Sequence, residues 1–266
     1  MLFLGVVLAQ GYRNAEAAPV IRRLVLRAPN YPTGTPVRIA LFSDLHVHGP
    51  NMPPERVARI VDRINALHPD IDVVAGDFMG DNWIGARYSL GQAVAPLRGL
   101  KAKFGVYAIL GNNDSHVRAS VRAMNDVGVR VLMNEAVQVG PIALGGLDGR
   151  LAHSQPAIAA ARRATYAAME RLRGIKVLVA HRPDEFVPAP EFISLVLAGH
   201  THCGQIVLPL IGPLFTGSDF GRQYVCGIFR DGAKTMIVTG GLGTSHLPLR
   251  IGAPADIWLI TIEGAR

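Results

Sequence analysis

Five short apolar runs in this chain stop abruptly on a side chain able to hold a metal ion, and that pattern constrains the fold more than any other feature. VRIALF (37–42) runs into Ser43-Asp44-Leu45-His46, IDVVAGD (71–77) ends on Gly76-Asp77, and GVYAILGNND (105–114) reaches Gly111-Asn112. KVLVAH (176–181) and SLVLAGH (194–200) both end in histidine. Nearly continuous apolar runs of this length read as buried strands. Between the first two, Pro53 and Pro54 open a segment in which Val57, Ile60, Val61, Ile64 and Leu67 form one apolar helix face. Residues 115–126 carry Val117, Val121 and Met124 at helical spacing, with Ser115 as the expected N-cap and Gly128 just past the end. Residues 130–147 read as short β segments and 155–172 as an alanine-rich helix, and YVCGIF, TMIVTG and IWLITI supply further strands. The expected class is α/β.

Composition narrows this to a globular, enzyme-like domain. With 49% hydrophobic and 18% charged residues among 266, the chain is not disordered, coiled-coil or collagen-like. Its net charge of +7 suits anionic partners: phosphates, nucleic acid or an anionic membrane surface. Cys203 and Cys226 are the only cysteines, too few for a disulfide framework or a four-cysteine zinc site, and each reads as a buried thiol. Residues 1–9 (MLFLGVVLA) are apolar but well short of the ~20 residues that span a membrane. Followed by Arg13, Arg22, Arg23 and Arg27, they read as an interfacial anchor or the remnant of a longer segment, or else as a tail or first strand packed on the domain. The expected division is a segment 1–30, a candidate membrane anchor, and a domain 31–266.

Chemistry is expected where the strands end, because ligands of open α/β sheets gather beyond the carboxyl edge. The seven side chains delivered there are Asp44, His46, Asp77, Asn112, His181, His200 and His202. A lone histidine at a strand end is more often structural, but seven donors in this arrangement reverse that expectation. Carboxylate, amide oxygen and imidazole together suit divalent Mn, Zn or Fe, and the absence of thiolates speaks against a structural zinc. Seven donors exceed one tetrahedral ion and serve two if one carboxylate bridges.

The set SDLH (43–46), GDFMGD (76–81), GNND (111–114), AH (180–181) and GHTH (199–202) resembles the calcineurin-like metallophosphoesterase superfamily, whose motifs run D-x-H, G-D, G-N-H-D/E, H and G-H-x-H. The resemblance covers residues 37–266, and AGHTHCGQIVLP with GLGTSHLPLRIG is similar to the bacterial membrane-associated branch of the YkuE and YaeI type. It implies a four-layered α/β/β/α sandwich. By position, Asp44, His46 and His202 would bind a first metal and Asn112, His181 and His200 a second, with Asp77 bridging. The implied activity is dinuclear hydrolysis of phosphodiester or pyrophosphate bonds, a metal-bridged hydroxide attacking phosphorus.

One position departs from the pattern. Where the superfamily places a histidine thought to protonate the leaving group, this chain has Asn113. An amide cannot donate that proton, though it can hydrogen-bond a phosphate oxygen. General acid catalysis, worth about 10²–10⁴-fold, is then reduced, unneeded for a good leaving group, or supplied by His48, His116 or His246. Asp114 would orient the missing histidine and otherwise holds the loop. His48 reaches substrate or is an exposed loop histidine, and Asp81 supports a ligand or shapes a turn. For substrate, a basic and apolar chain suits an amphiphilic phosphate, lipid-linked or a nucleotide sugar, met by peripheral contact at the bacterial inner membrane. PLIGPLF (209–215) lines an acyl groove or is a packed loop. A nuclease on the same fold is the enzyme alternative, but no basic run is interleaved with aromatics. A metal- and phosphate-binding scaffold without catalysis is the non-enzyme alternative.

Overall fold

The computed structural model describes residues 2–29, 31 and 34–264. Its helices are α1 (Leu2–Glu16), α2 (Pro54–Asn65), α3 (Leu90–Val94), α4 (Val117–Asp126) and α5 (Gln155–Arg171). Its strands are β1 (Val20–Ala28), β2 (Val37–Phe42), β3 (Ile71–Val74), β4 (Val106–Ala108), β5 (Val129–Val131), β6 (Glu135–Val139) and β7 (Ile142–Gly146). They continue with β8 (Ile175–Val179), β9 (Leu195–Ala198), β10 (Val207–Leu208), β11 (Gly212–Pro213), β12 (Gly227–Asp231), β13 (Lys234–Val238) and β14 (Asp256–Gly264).

The apolar runs become the centres of two six-stranded sheets, ordered β1-β14-β2-β3-β4-β5 and β12-β13-β9-β8-β7-β6. β2 to β5 are parallel, as are β7, β8, β9 and β13, so each block delivers its carboxyl ends to one edge. Alternate residues of a strand face opposite sides. Ile39, Leu41, Ile71 and Val73 therefore pack between the sheets against Leu144, Val177, Val179, Leu195 and Leu197. Ala40, Phe42 and Val74 point outward under α2, whose Val57, Ile60, Val61 and Ile64 meet them. Burying each such helix side chain contributes about 1.5–3 kcal/mol. On the far side Leu178, Val196 and Met236 lie under Ile158, Ala161 and Met169 of α5. The result is a four-layered α/β/β/α sandwich.

Several local expectations differ from what forms. Ser115 does not cap α4: the helix starts at Val117, and the capping position falls to His116 without a side-chain bond. The strand expected over 105–114 ends at Ala108, because residues 109–114 bend into the site. Residues 2–9 are the first half of α1, not a strand, and Arg22, Arg23 and Arg27 lie on β1 instead. β1 pairs in parallel with β14 at the sheet edge, so the segment up to residue 28 is built into the sandwich. Small residues decide how α1 docks: Gly11 and Ala15, one turn apart, form its buried stripe, and Gly11 lets Leu249 and Ile251 approach. The two cysteines are not thiols. Cys203 and Cys226 form a disulfide with their Cα atoms 4.7 Å apart.

Candidate metal centre

The loops after β2, β3, β4, β8 and β9 meet at one edge of the sandwich, and the backbone there leaves ordinary geometry. Asp44, His46, Asp77, His200 and His202 all take positive φ, between 42° and 69°. For a residue with a Cβ this left-handed region costs on the order of 1 kcal/mol. Such strain persists where the surroundings over-determine it, and it gathers at functional sites. Close approach of the loops is what demands it. A Cβ on Gly111 would collide with Asp77 Oδ1, and one on Gly76 would lie 2.8 Å from His181 Nδ1.

The seven expected donors come together as two clusters. Asp44, His46 and His202 form one and Asp77, His181 and His200 the other, with donor atoms in each all within 4.8 Å of one another. Asn112 joins the second, its Oδ1 3.0 Å from His181 Nε2. Asp77 stands between them: Oδ2 is 3.5 Å from His46 Nε2 and 3.3 Å from His181 Nε2. His181 Nδ1 donates to the Ala75 carbonyl at 2.7 Å, which turns Nε2 toward the cluster.

A pair of cations fits these donors. His46 Nε2 faces His202 Nε2 at 3.1 Å, and His181 Nε2 faces His200 Nδ1 at 3.1 Å. Two imidazole nitrogens so placed share at most one proton, whereas a divalent ion uses both lone pairs at once. Without an ion, charge distributes unevenly. Burial opposes ionisation of Asp77, but His181, His46 and the Asn113 N–H outweigh it and hold the carboxyl well below the usual range. His181 is pushed up to about 10, burial opposing and Asp77 and Asp44 prevailing. His200 falls to about 3 through burial and the neighbouring His181.

The remaining expected residues take different positions. Asn113 does not reach outward: its backbone N–H donates to Asp77 Oδ1 at 2.9 Å and its Nδ2 to Oδ2 at 3.0 Å, so it orients that carboxylate. Asp114 holds the loop, accepting N–H bonds from Asp77, Phe78 and Gly111 at 2.9–3.0 Å. His48 is neither an exposed histidine nor a cavity residue. It is buried, with Nδ1 2.5 Å from the Gly49 carbonyl and Nε2 unbonded among the described residues. His116 is exposed at the capping position before α4 and lies outside the cavity.

The donors open into a cavity of about 370 Å³ whose other walls are Trp83, Ile206, Leu214, Phe215, Leu247 and His246. Part of 209–215 thus lines the site, while Leu210 at its tip is fully exposed. Two supports were not legible as site residues. Gln205 fastens the ligand loop to residues 245–247 through three bonds of 2.8–3.1 Å. Arg250 is fully buried, bonding the Gly240, Gly241, Gly243 and Ala253 carbonyls and lying 3.5 Å from His202 Nδ1. The one signal for Arg250 is a charge set between apolar residues in PLRIG.

Residues 37–204 match the family described as calcineurin-like phosphoesterase. The uncharacterized metallophosphoesterase YkuE of Bacillus subtilis is 30% identical over 85% of this chain and 79% of its own length. An uncharacterized metallophosphoesterase of Aquifex aeolicus is 29% identical over 99% of both. A transmembrane protein with metallophosphoesterase domain from Danio rerio is 28% identical over the whole chain, which spans 62% of that relative's length. Among solved structures, the Pseudomonas putida nuclease MPE aligns with a TM-score of 0.38 and 19% identity over 83% of this chain and 86% of that one. With the family match spanning more than half the chain and passing through every donor cluster, this chain belongs to the calcineurin-like phosphoesterases and is a phosphoester hydrolase.

Proposed function

We propose that the chain is a dinuclear metal-dependent phosphodiesterase or pyrophosphatase whose substrate carries an apolar group. The observation that carries this reading is the continuity of the two donor clusters with an apolar cavity wall formed by Trp83, Ile206, Leu214, Phe215 and Leu247. Asp44, His46 and His202 would hold one ion, Asn112, His181 and His200 the other, and Asp77 both. Two divalent ions held there, Mn, Zn or Fe, would supply Lewis acidity for activating water near neutral pH and positive charge for the phosphoryl oxygens. The chain's own part is to fix these donors. Asn113 sets the Asp77 plane, the Ala75 carbonyl sets the His181 tautomer, and Arg250 fastens the turn behind His202. The apolar wall receives the substituent and excludes water.

A lipid-linked phosphate or nucleotide-sugar lipid fits this wall, and peripheral contact with the bacterial inner membrane is the setting we infer. Among the described residues no helix is long and apolar enough to cross a membrane. The Cys203–Cys226 bridge is chemistry of an oxidising compartment, which supports the outer face.

The test is hydrolysis of bis-nitrophenyl phosphate and its monoester by metal-stripped protein reconstituted with Mn, Zn or Fe, with Asp77→Ala as control. Metal-dependent cleavage of the diester, abolished in the control, is expected. Binding of two ions without cleavage of either ester would instead establish the scaffold reading. A lipid pyrophosphate in detergent should be cleaved faster than a nucleotide diester, and equal rates would remove the apolar preference.

A further inference from the structure

His246 is more than half exposed, yet it is held from every side. Asp81 Oδ2 lies 3.1 Å from its Nδ1, and Asp81 Oδ1 accepts its backbone N–H at 3.3 Å. Trp83 stacks on the imidazole with ring centroids 5.3 Å apart and planes 14° from parallel, while the Trp83 N–H bonds the His246 carbonyl at 2.9 Å. Ser245 and Leu247 on either side are both fastened to Gln205. His246 itself has φ 61° in a tight turn closed by Leu247 N–H on the Ser245 carbonyl at 2.7 Å. An exposed loop side chain gains no burial from such an arrangement, and strain at a non-glycine residue marks a position that the surroundings impose. The same Asp81 carboxylate also faces the metal-site residue His46, Oδ1 standing 3.5 Å from Nδ1.

The chemistry to be filled is the proton that Asn113 cannot give. His48 is buried away from the cavity and His116 lies outside it, whereas His246 lines the cavity together with His46, Asp77, Asn112 and Asn113. We infer that His246, positioned by Asp81 and Trp83, is the proton donor to the leaving group. With Nδ1 turned to Asp81, Nε2 is the ring nitrogen left to act. Water adds its oxygen to phosphorus and gives up one proton. The bond from phosphorus to the leaving oxygen breaks, and that oxygen keeps the electron pair and takes the proton from His246 Nε2. The exposed ring is then recharged from solvent. His246 is thus a catalytic residue and Asp81 a positioning residue. A substrate with a poor leaving group, such as a sugar or alkyl alcohol, is the class that needs this donor.

This inference rests on the phosphoesterase reading, and the experiment separates the two. Wild type, His246→Gln and Asp81→Asn are loaded with the activating metal and assayed on aryl and alkyl methyl phosphodiesters that span leaving-group acidity. For His246→Gln the expected loss is about 100-fold on the alkyl esters and less than about threefold on the nitrophenyl ester, with metal content unchanged. Asp81→Asn should lose part of the same leaving-group-dependent rate. In wild-type protein loaded with diamagnetic zinc, inorganic phosphate should move the Nε2 resonance of His246. An equal loss across the series, or a phosphate-insensitive Nε2, overturns the assignment of His246 and leaves the phosphoesterase standing. Absence of any turnover in wild type sinks both.

Discussion

Asp72 sits in the middle of β3 with no exposed surface, and neither carboxylate oxygen has a hydrogen-bond partner among the described residues. Burial alone pushes it up to about 7. In the unfolded chain the group titrates near pH 3.9, so between about pH 4 and pH 7 the folded state binds more protons than the unfolded. Stability therefore falls as pH rises through that window, and the full cost, about 4 kcal/mol, is present above it. Asp72→Asn abolishes the titration. Relative to wild type it should gain about 4 kcal/mol between pH 4 and pH 8 in denaturant unfolding, and a pH-independent difference would refute the account. Asn113 makes an opposite kind of contribution, because its two bonds hold Asp77 rather than substrate. Asn113→Ala should raise the metal concentration giving half-maximal activity by about 10–100-fold while leaving the rate at saturating metal nearly unchanged. A fall in the saturated rate with unchanged metal affinity would place Asn113 on the substrate instead.

At the scale of elements, the segment from β9 to β10 carries His200 and His202 through four positive-φ residues other than glycine, the other two being Cys203 and Gln205. Such a path stays in place only if it is fastened. The Cys203–Cys226 bridge and the 2.6 Å bond from Thr201 Oγ1 to the Val225 carbonyl tie it to the chain entering β12. Closing a loop of this length stabilises by about 2–4 kcal/mol. Cys203→Ser combined with Cys226→Ser should lower the melting temperature and weaken metal retention, and chemical reduction should do the same to wild type. Unchanged melting and metal content after reduction would show the bridge to be incidental. This segment also shows what a sequence displays and what it hides. The apolar runs and the polar side chains that end them are local, so β2, β3, β8, β9 and the meeting of the seven side chains at one edge were legible. The pairing of two cysteines 23 residues apart, the left-handed turns and Arg250 depend on contacts between distant loops. β1 was hidden for the same reason, since its partner β14 lies at the far end of the chain. α1 was ambiguous because a short run of Leu and Val suits strand and helix equally until Gly11 meets Leu249 and Ile251.

At the scale of the whole molecule, two groups of exposed apolar residues connect to the site through residues 249–251, while Val20, Val25 and Val187 are exposed elsewhere. Leu4, Val6 and Leu8 on the outer half of α1 are exposed, and the inner half docks on residues 249–251. Of those residues, Ile251 bonds directly to Gln205 and Val207, where the hairpin of β10 and β11 begins. Leu210, Ile211, Leu214 and Phe215 then project from that hairpin, the last two also walling the cavity. On the proposed reading, an apolar surface adjoining the cavity, on a chain of net charge +7, would suit an anionic bilayer that presents the substrate. Removing the first 30 residues would be a poor test, because it would also strip β1 from the sheet. Point changes keep the fold. The 266-residue chain should float with vesicles containing phosphatidylglycerol, and salt should weaken but not abolish the association, since apolar insertion is unscreened. Replacing Leu4, Val6 and Leu8 with Gln, or Leu210 and Ile211 with Ser, should reduce flotation and slow cleavage of a vesicle-borne phosphate. Hydrolysis of the soluble nitrophenyl diester should stay as in wild type, because none of these five residues lines the cavity. Undiminished flotation in both variants would mean that the bare surface serves something other than the membrane.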